Sequence, residues 1–251
     1  MKAIYSRPEA MKNTRMHYCP GCGHSIIHKL LASCIDELGI KDRSIIVGPV
    51  GCSVLIYNYL DVDGSEAAHG RAQAVSTGLK RALPDRVVIS YQGDGDLAAI
   101  GTAETLHAAN RGENFTVIFV NNAIYGMTGG QLAPTTLIGQ RTKTSPYGRD
   151  AGTAGYPLKI CELLSQLEAP SYIERVSVHD VKHTIRTKEA IKKALRYQMD
   201  GLGYSLVEVL SMCPTNWGVT PLEAAEWVEK YMTEYYPLRV FRDRGASKEE
   251  K

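Results

Sequence analysis

The chain has 251 residues, 44% of them apolar, and a formal charge of +2. This length buries one full core, so one α/β domain with short extensions is expected, and the scattered basic residues form no stripe of the kind that holds nucleic acid. Positions 1–20 lack a signal-peptide run and no stretch approaches the roughly 18 apolar residues of a membrane span, so a cytoplasmic location without nucleic-acid or membrane partners is expected.

The first element is a helix over 25–38, where apolar residues at 26, 27, 30, 31, 34, 35 and 38 keep a helical period and Gly39 supplies the stop. A strand over 44–48, a helix over 71–83, a strand over 86–91, a helix over 97–111 and a strand over 115–120 follow. Such alternation predicts a doubly wound α/β fold with a parallel sheet, whose ligands sit outside the carboxyl ends of the strands. The stretch 121–157, rich in Gly, Thr and Pro, reads as a binding loop. A helix over 158–167, a strand over 172–178, a helix over 188–199 and a strand over 205–210 complete the pattern, and the sheet is expected to end there. Thr220, Pro221 and Glu223 spell an N-cap, a first-turn proline and a capping box for a helix reaching about position 235, before a charged tail over 243–251. Residues 1–215 are expected to form the binding domain and 216–251 an extension of it.

The strand over 86–91 runs into Gln92-Gly93-Asp94-Gly95-Asp96, and the strand over 115–120 runs into Asn121-Asn122-Ala123-Ile124-Tyr125-Gly126. In a parallel βαβ unit both strand ends emerge on one edge, so Asp94 and Asn122 converge despite the 28 positions between them. One carboxylate and one amide carbonyl suit Mg2+ shared with a phosphate group. Gly93 and Gly95 let the backbone approach a diphosphate, and the N–H groups at the following helix start, near Asp96 and Leu97, favour its charge. An ordinary strand-to-helix turn with an Asp cap accounts for the first segment alone.

Six cysteines in a reducing compartment are poor disulfide candidates. Cys19-Pro20-Gly21-Cys22 has the spacing of two thiolates gripping one metal centre, with a thioredoxin-like redox pair as the alternative. Gly23, standing before His24, disfavours covalent haem attachment. Cys52 and Cys213 each follow a predicted strand and so fall on the same edge as Asp94. These thiolates suit either a structural zinc or a [4Fe-4S] cluster. Cys34 and Cys161 fall on helices and read as core or surface thiols. His24 is given no role, and His69 and Arg71 read either as an anion contact or as a solvated turn.

Gly-Asp-Gly followed by Asn resembles the thiamine-diphosphate motif. Together with Cys-Pro-Gly-Cys-Gly-His at 19–24, Pro-Val-Gly-Cys-Ser at 49–53, His-Gly-Arg at 69–71, 121–131 and Cys-Pro-Thr-Asn-Trp at 213–217, it resembles the beta subunit of the 2-oxoacid:ferredoxin oxidoreductases across 18–237. The resemblance implies the pyrophosphate-binding (PP) module fold. It implies Asp94, Asn122 and the Ile124 carbonyl as magnesium ligands, and Cys19, Cys22, Cys52 and Cys213 as ligands of a [4Fe-4S] cluster. Val50, Gly51, Cys52, Ser53, His69, Gly93, Gly95, Asp96, Gly126 and Met127 are implied to contact thiamine diphosphate. The implied reaction is oxidative decarboxylation of a 2-oxoacid with coenzyme A to acyl-CoA, carbon dioxide and reduced ferredoxin. An alpha subunit is expected to bring the activating glutamate, with gamma and delta subunits beside it. The substrate is expected to be 2-oxoglutarate or a branched-chain acid such as 2-ketoisovalerate; Gly129 stands where some 2-oxoglutarate relatives carry lysine. A thiamine-dependent decarboxylase or synthase with a structural zinc is the enzymatic rival, and a regulatory or electron-transfer module the non-enzymatic one.

Overall fold

The structure, a computed structural model, describes residues 6–245. Its centre is a seven-stranded sheet of order β2-β1-β3-β4-β6-β5-β7. The strands are β1 (Ser44–Pro49), β2 (Asp63–Ala67), β3 (Val87–Gly93), β4 (Thr116–Asn121), β5 (Tyr172–Ser177), β6 (Ser205–Leu210) and β7 (Arg239–Asp243). All pairings are parallel except β5 with β7. Strands β1, β4, β5 and β6 are buried along their whole length, as sheets covered on both faces require.

The helices are α1 (His24–Glu37), α2 (Ala72–Ala82), α3 (Thr102–Arg111), α4 (Ala151–Ala154), α5 (Ile160–Ser165), α6 (Val181–Met199), α7 (Pro214–Trp217), α8 (Pro221–Trp227) and α9 (Thr233–Tyr235). Helices α1 and α6 bury Ile27, Leu31, Ile35, Ile191 and Leu195 against Ile46, Ile89, Ile118 and Val207 on one face. Helices α3 and α5 bury Ala108, Ala109, Ile160 and Leu164 against Val47, Val88, Val117 and Leu206 on the other. The strands alternate their side chains between these two cores, so the doubly wound arrangement follows from apolar residues at both parities.

Several boundaries differ from the sequence expectation. Strand β2, Asp-Gly-Ser-Glu-Ala, is a largely exposed edge with no apolar pattern to announce it. The sheet does not end at Leu210: β7 adds an antiparallel edge. Asp243 therefore belongs to a strand, and positions 246–251 of the expected charged tail lie outside the described residues. Helix α6 begins at Val181, well before position 188, because the Asp180 side chain caps it by accepting from His183 N at 2.7 Å. The helix expected over 97–111 is broken into a π-helical turn, Asp96–Ile100, and α3, with Gly101 between them. The capping box of Thr220 and Glu223 is present as expected, though its helix passes through a second π-helical turn at Val228–Met232.

Candidate cofactor site

Register decides what meets at the carboxyl edge. Gly93 pairs with Val120 and Asn121 with Leu210, so Asp94, Asn122 and the segment Ser211–Cys213 leave the sheet side by side. Val50 to Ser53 follow β1 at the same edge. The result is a cavity of about 300 Å³. Its walls include Val50, Gly51, Cys52, Ser53, His69, Gly93, Asp94, Gly95, Asp96, Asn122, Ile124, Gly126 and Met127, so thirteen of the singled-out residues meet in one place.

Asp94 is 4% exposed, and burial pushes its carboxyl up to about 6. Thr135 Oγ1 donates to its Oδ2 at 2.8 Å and Gly95 N to its Oδ1 at 2.8 Å. One end of the Asn122 amide stands 3.2 Å from Asp94 Oδ2 and 2.7 Å from the Ile124 carbonyl oxygen. With nitrogen at that end, two hydrogen bonds form. With oxygen there, three oxygens face one another in a cradle that a small cation neutralises. Between Asn122 and Ile124, Ala123 is held at φ +55°, where few residues other than glycine sit, and its carbonyl accepts from Thr136 Oγ1 at 2.7 Å.

Asp96 behaves differently from Asp94. Its Oδ1 accepts from Gly70 N at 2.5 Å and bonds His69 Nδ1 at 2.7 Å, and its Oδ2 accepts from Gln92 Nε2 at 2.6 Å. Both oxygens are committed, so Asp96 fixes the His69 turn at the cavity wall. Gly95 has its own constraint, since a Cβ there would lie 2.6 Å from the Tyr125 ring.

The three cysteine loops adjoin this cavity. Burial pushes the Cys22 thiol up to about 12 and Cys52 up to about 11, and Cys213 upward as well, with each of the three feeling neighbouring cysteines. Thiols so placed hold their protons unless a metal replaces them, which is how a buried thiolate centre is made. A Cβ at Gly126 would stand 3.3 Å from Cys52 Sγ, so the Asn122 loop touches the cysteine cluster directly. No disulfide joins any of the cysteines, and Cys34 and Cys161 are buried in helices.

Several residues that the sequence left without a role tie these loops together. Asn216 donates to Cys213 Sγ at 3.3 Å and to the Gly126 carbonyl at 2.9 Å, and Trp217 Nε1 donates to the Asn122 carbonyl at 3.2 Å. Tyr18 donates to the Cys52 carbonyl at 2.9 Å and stacks on His24 at 5.1 Å. His24 lines the cavity, pairs with Tyr91 Oη at 2.7 Å, and is pushed down to about 4 by burial. Asn216 and Trp217 stood in a recognised motif; His24 followed a cysteine pair; Thr135 had no local signal at all.

A mostly parallel sheet carrying an acidic and an amide side chain on adjacent strand tips defines an α/β domain with its ligand site at the carboxyl edge. The pattern of the family "thiamine pyrophosphate enzyme, C-terminal TPP binding domain" matches residues 49–209, and the chain belongs to that family. Within it, the ketoisovalerate oxidoreductase subunit VorA of Methanothermobacter thermautotrophicus is 54% identical over 98% of this chain and 52% of its own length. The 2-oxoglutarate synthase subunit KorB of Methanocaldococcus jannaschii is 39% identical over 80% of this chain and 70% of its own. The 2-oxoglutarate:ferredoxin oxidoreductase from Magnetococcus marinus, solved with 2-oxoglutarate, coenzyme A and succinyl-CoA, superposes with a TM-score of 0.78 at 25% identity, covering 96% of this chain and 86% of that one. The chain thus falls in one family with these 2-oxoacid oxidoreductase subunits, and it spans about half the length of the VorA relatives it matches.

Proposed function

We propose that this chain is the beta subunit of a cytoplasmic 2-oxoacid:ferredoxin oxidoreductase, converting a 2-oxoacid and coenzyme A to acyl-CoA, carbon dioxide and reduced ferredoxin. The observation that carries this reading is the meeting, at one edge, of the Asp94–Asn122–Ile124 oxygen cradle with Cys22, Cys52 and Cys213, each of which feels the charge of Cys19.

In this reading Asp94, Asn122 and the Ile124 carbonyl hold Mg2+, and Gly93, Gly95 and His69 receive the diphosphate. Asp96 acts through His69, which it bonds at 2.7 Å. Val50, Gly51, Ser53, Gly126 and Met127 contact the remainder of thiamine diphosphate. Cys19, Cys22, Cys52 and Cys213 hold a [4Fe-4S] cluster. When bound, the thiamine supplies an electron sink for decarboxylation and the cluster a route for single electrons. This chain's own contribution is to anchor, orient and keep dry: His24 stays neutral at the cavity wall, and the buried Asp94 presents its charge where the cation neutralises it.

The carboxylates lining the cavity, Asp94 and Asp96, are both committed to other partners. An activating glutamate therefore comes from an alpha subunit, in an assembly with gamma and delta subunits that passes electrons to ferredoxin. Against the zinc alternative, tetrahedral zinc with bonds near 2.3 Å would bring its sulfurs to about 3.8 Å. Among the described residues the His/Cys/Asp/Glu group with ligand atoms within 4.8 Å is His179, Asp180 and His183, so no three of the cysteine sulfurs crowd that closely. A four-iron cluster spaces its thiolates more widely.

The substrate proposed is a branched-chain acid such as 2-ketoisovalerate, supported by the 54% identity to VorA. One observation favours 2-oxoglutarate as a second reading. Lys143 Nζ stands 3.1 Å from where a Cβ on Gly129 would be, so the loop keeps a cation beside the glycine. The test is an anaerobic assay of the assembled enzyme with a 2-oxoacid panel. Coenzyme A-dependent ferredoxin reduction by 2-ketoisovalerate, abolished in Asp94→Ala, is expected; a complete enzyme inert toward every 2-oxoacid would refute the proposal.

A further inference from the structure

We propose that His179, Asp180 and His183 form a separate metal site on this chain, for a single divalent transition ion of the zinc class. The site lies where β5 gives way to α6. His179 Nε2, Asp180 Oδ2 and His183 Nδ1 offer ligand atoms within 4.8 Å of one another. Asp180 Oδ2 lies 2.8 Å from His183 Nδ1 and 3.4 Å from His179 Nε2.

His179 supplies the independent observation. Its side chain is 3% exposed, yet Nε2 has no hydrogen-bond partner. A buried ring nitrogen left unpaired is costly, and the atom it faces is a carboxylate oxygen of the same cluster. The other nitrogen, Nδ1, bonds Ser177 Oγ at 2.8 Å. That bond fixes the ring and turns Nε2 into the cluster, as the outer partner of a metal-bound imidazole does. Asp180 divides its oxygens in the same sense: Oδ1 caps α6 by accepting from His183 N at 2.7 Å, and Oδ2 sits between the two imidazoles, bonded to His183 Nδ1 at 2.8 Å in a contact that a bound ion would replace. A helix cap explains Asp180 and His183 but leaves His179 Nε2 unexplained.

Two imidazoles and one carboxylate suit zinc, cobalt or nickel; magnesium and calcium prefer all-oxygen sets. Asp180 and His183 are partly exposed, so the fourth position opens to solvent. The turn also backs onto the first cysteine loop, since a Cβ at Gly23 would stand 3.3 Å from Val178 Cγ2. An ion here would pin the start of α6 beside that loop without entering the cavity described above. The site is independent of the proposed reaction.

The test is a cobalt titration of the full chain after chelator treatment, alongside H179A/H183A, S177A and C22S/C213S. C22S/C213S is expected to take up one ion with the weak visible bands of nitrogen and oxygen ligation, the same variant carrying H179A/H183A to lack it, and wild type to bind one ion more than H179A/H183A. S177A, which removes only the outer partner, is expected to weaken uptake about 10- to 100-fold. Melting temperature should rise with zinc in C22S/C213S and stay unchanged when the two histidines are also replaced. Equal ion counts in wild type and H179A/H183A would overturn the proposal, as would visible bands wholly of thiolate origin.

Discussion

His28 shows what burial alone does to a side chain. It is fully buried between Tyr18 and Tyr91, and neither ring nitrogen has a hydrogen-bond partner. Burial pushes His24 down to about 4 and His28 well below the usual 6.5. In the unfolded chain these rings protonate near 6.5. Between about 6.5 and 4 the unfolded chain therefore binds more protons than the folded one, and stability rises with pH across that window. It is fully present above about 6.5 and is lost as pH falls toward 4. His28→Leu removes one of these protonation sites together with its unpaired nitrogens. Thermal melts should show a larger gain over wild type at pH 5 than at pH 8, and equal differences at the two pH values would contradict the assignment. The convergence of Asp94 and Asn122 at one edge was legible because glycine spacing and strand ends frame them. Thr135 was not, because its bond to Asp94 spans 41 positions and depends on how a long loop folds.

That loop, 121–157, looked structureless in sequence, and its organiser is Arg149. The guanidinium is 5% exposed and, instead of pairing with a carboxylate, donates to the carbonyls of Ala133, Pro134, Thr136, Ala154, Gly155 and Tyr156 at 2.8–3.2 Å. Those bonds shape the segment that carries Thr135 to Asp94. Arg149→Met leaves six carbonyls short of a donor and should cost on the order of 3 kcal/mol. In a thiamine diphosphate titration it should also weaken binding more than tenfold; unchanged affinity would show that the loop folds without its arginine. The π-helical turn after Asp96 is a second such device, and such turns recur at functional sites. Gly101 closes it against Gly70: a Cβ at Gly101 would lie 2.6 Å from the Asp96 carbonyl and 2.8 Å from that of Gly70. Gly101→Ala has only backbone to push against, so it should cost more than about 2 kcal/mol and displace His69 from Asp96. A variant with wild-type melting and cofactor retention would contradict this packing. Periodicity could not reveal such a turn, nor could it reveal β2 and β7, which are edge strands with little apolar pattern.

The molecule as a whole follows the alternation read from its sequence because each inner strand is apolar at both parities and each long helix has one apolar face. What alternation could not supply was the register, and register is what delivers Asp94, Asn122 and Cys213 to one edge. The cysteines carried a second ambiguity in sequence, since four thiolates suit zinc or iron equally, and the proposed function takes the iron-sulfur side of it. The most direct measurement is an iron and acid-labile sulfide count on anaerobically purified enzyme, read together with its electron paramagnetic resonance after reduction. About four irons and four sulfides assigned to this chain, with the signal of a reduced [4Fe-4S] centre, are predicted. Their loss in Cys213→Ala, with thiamine diphosphate still bound, would tie the cluster to these loops. A colourless chain whose cysteines hold zinc, lost on replacing Cys213, or a cluster unaffected by replacing Cys213, would contradict it.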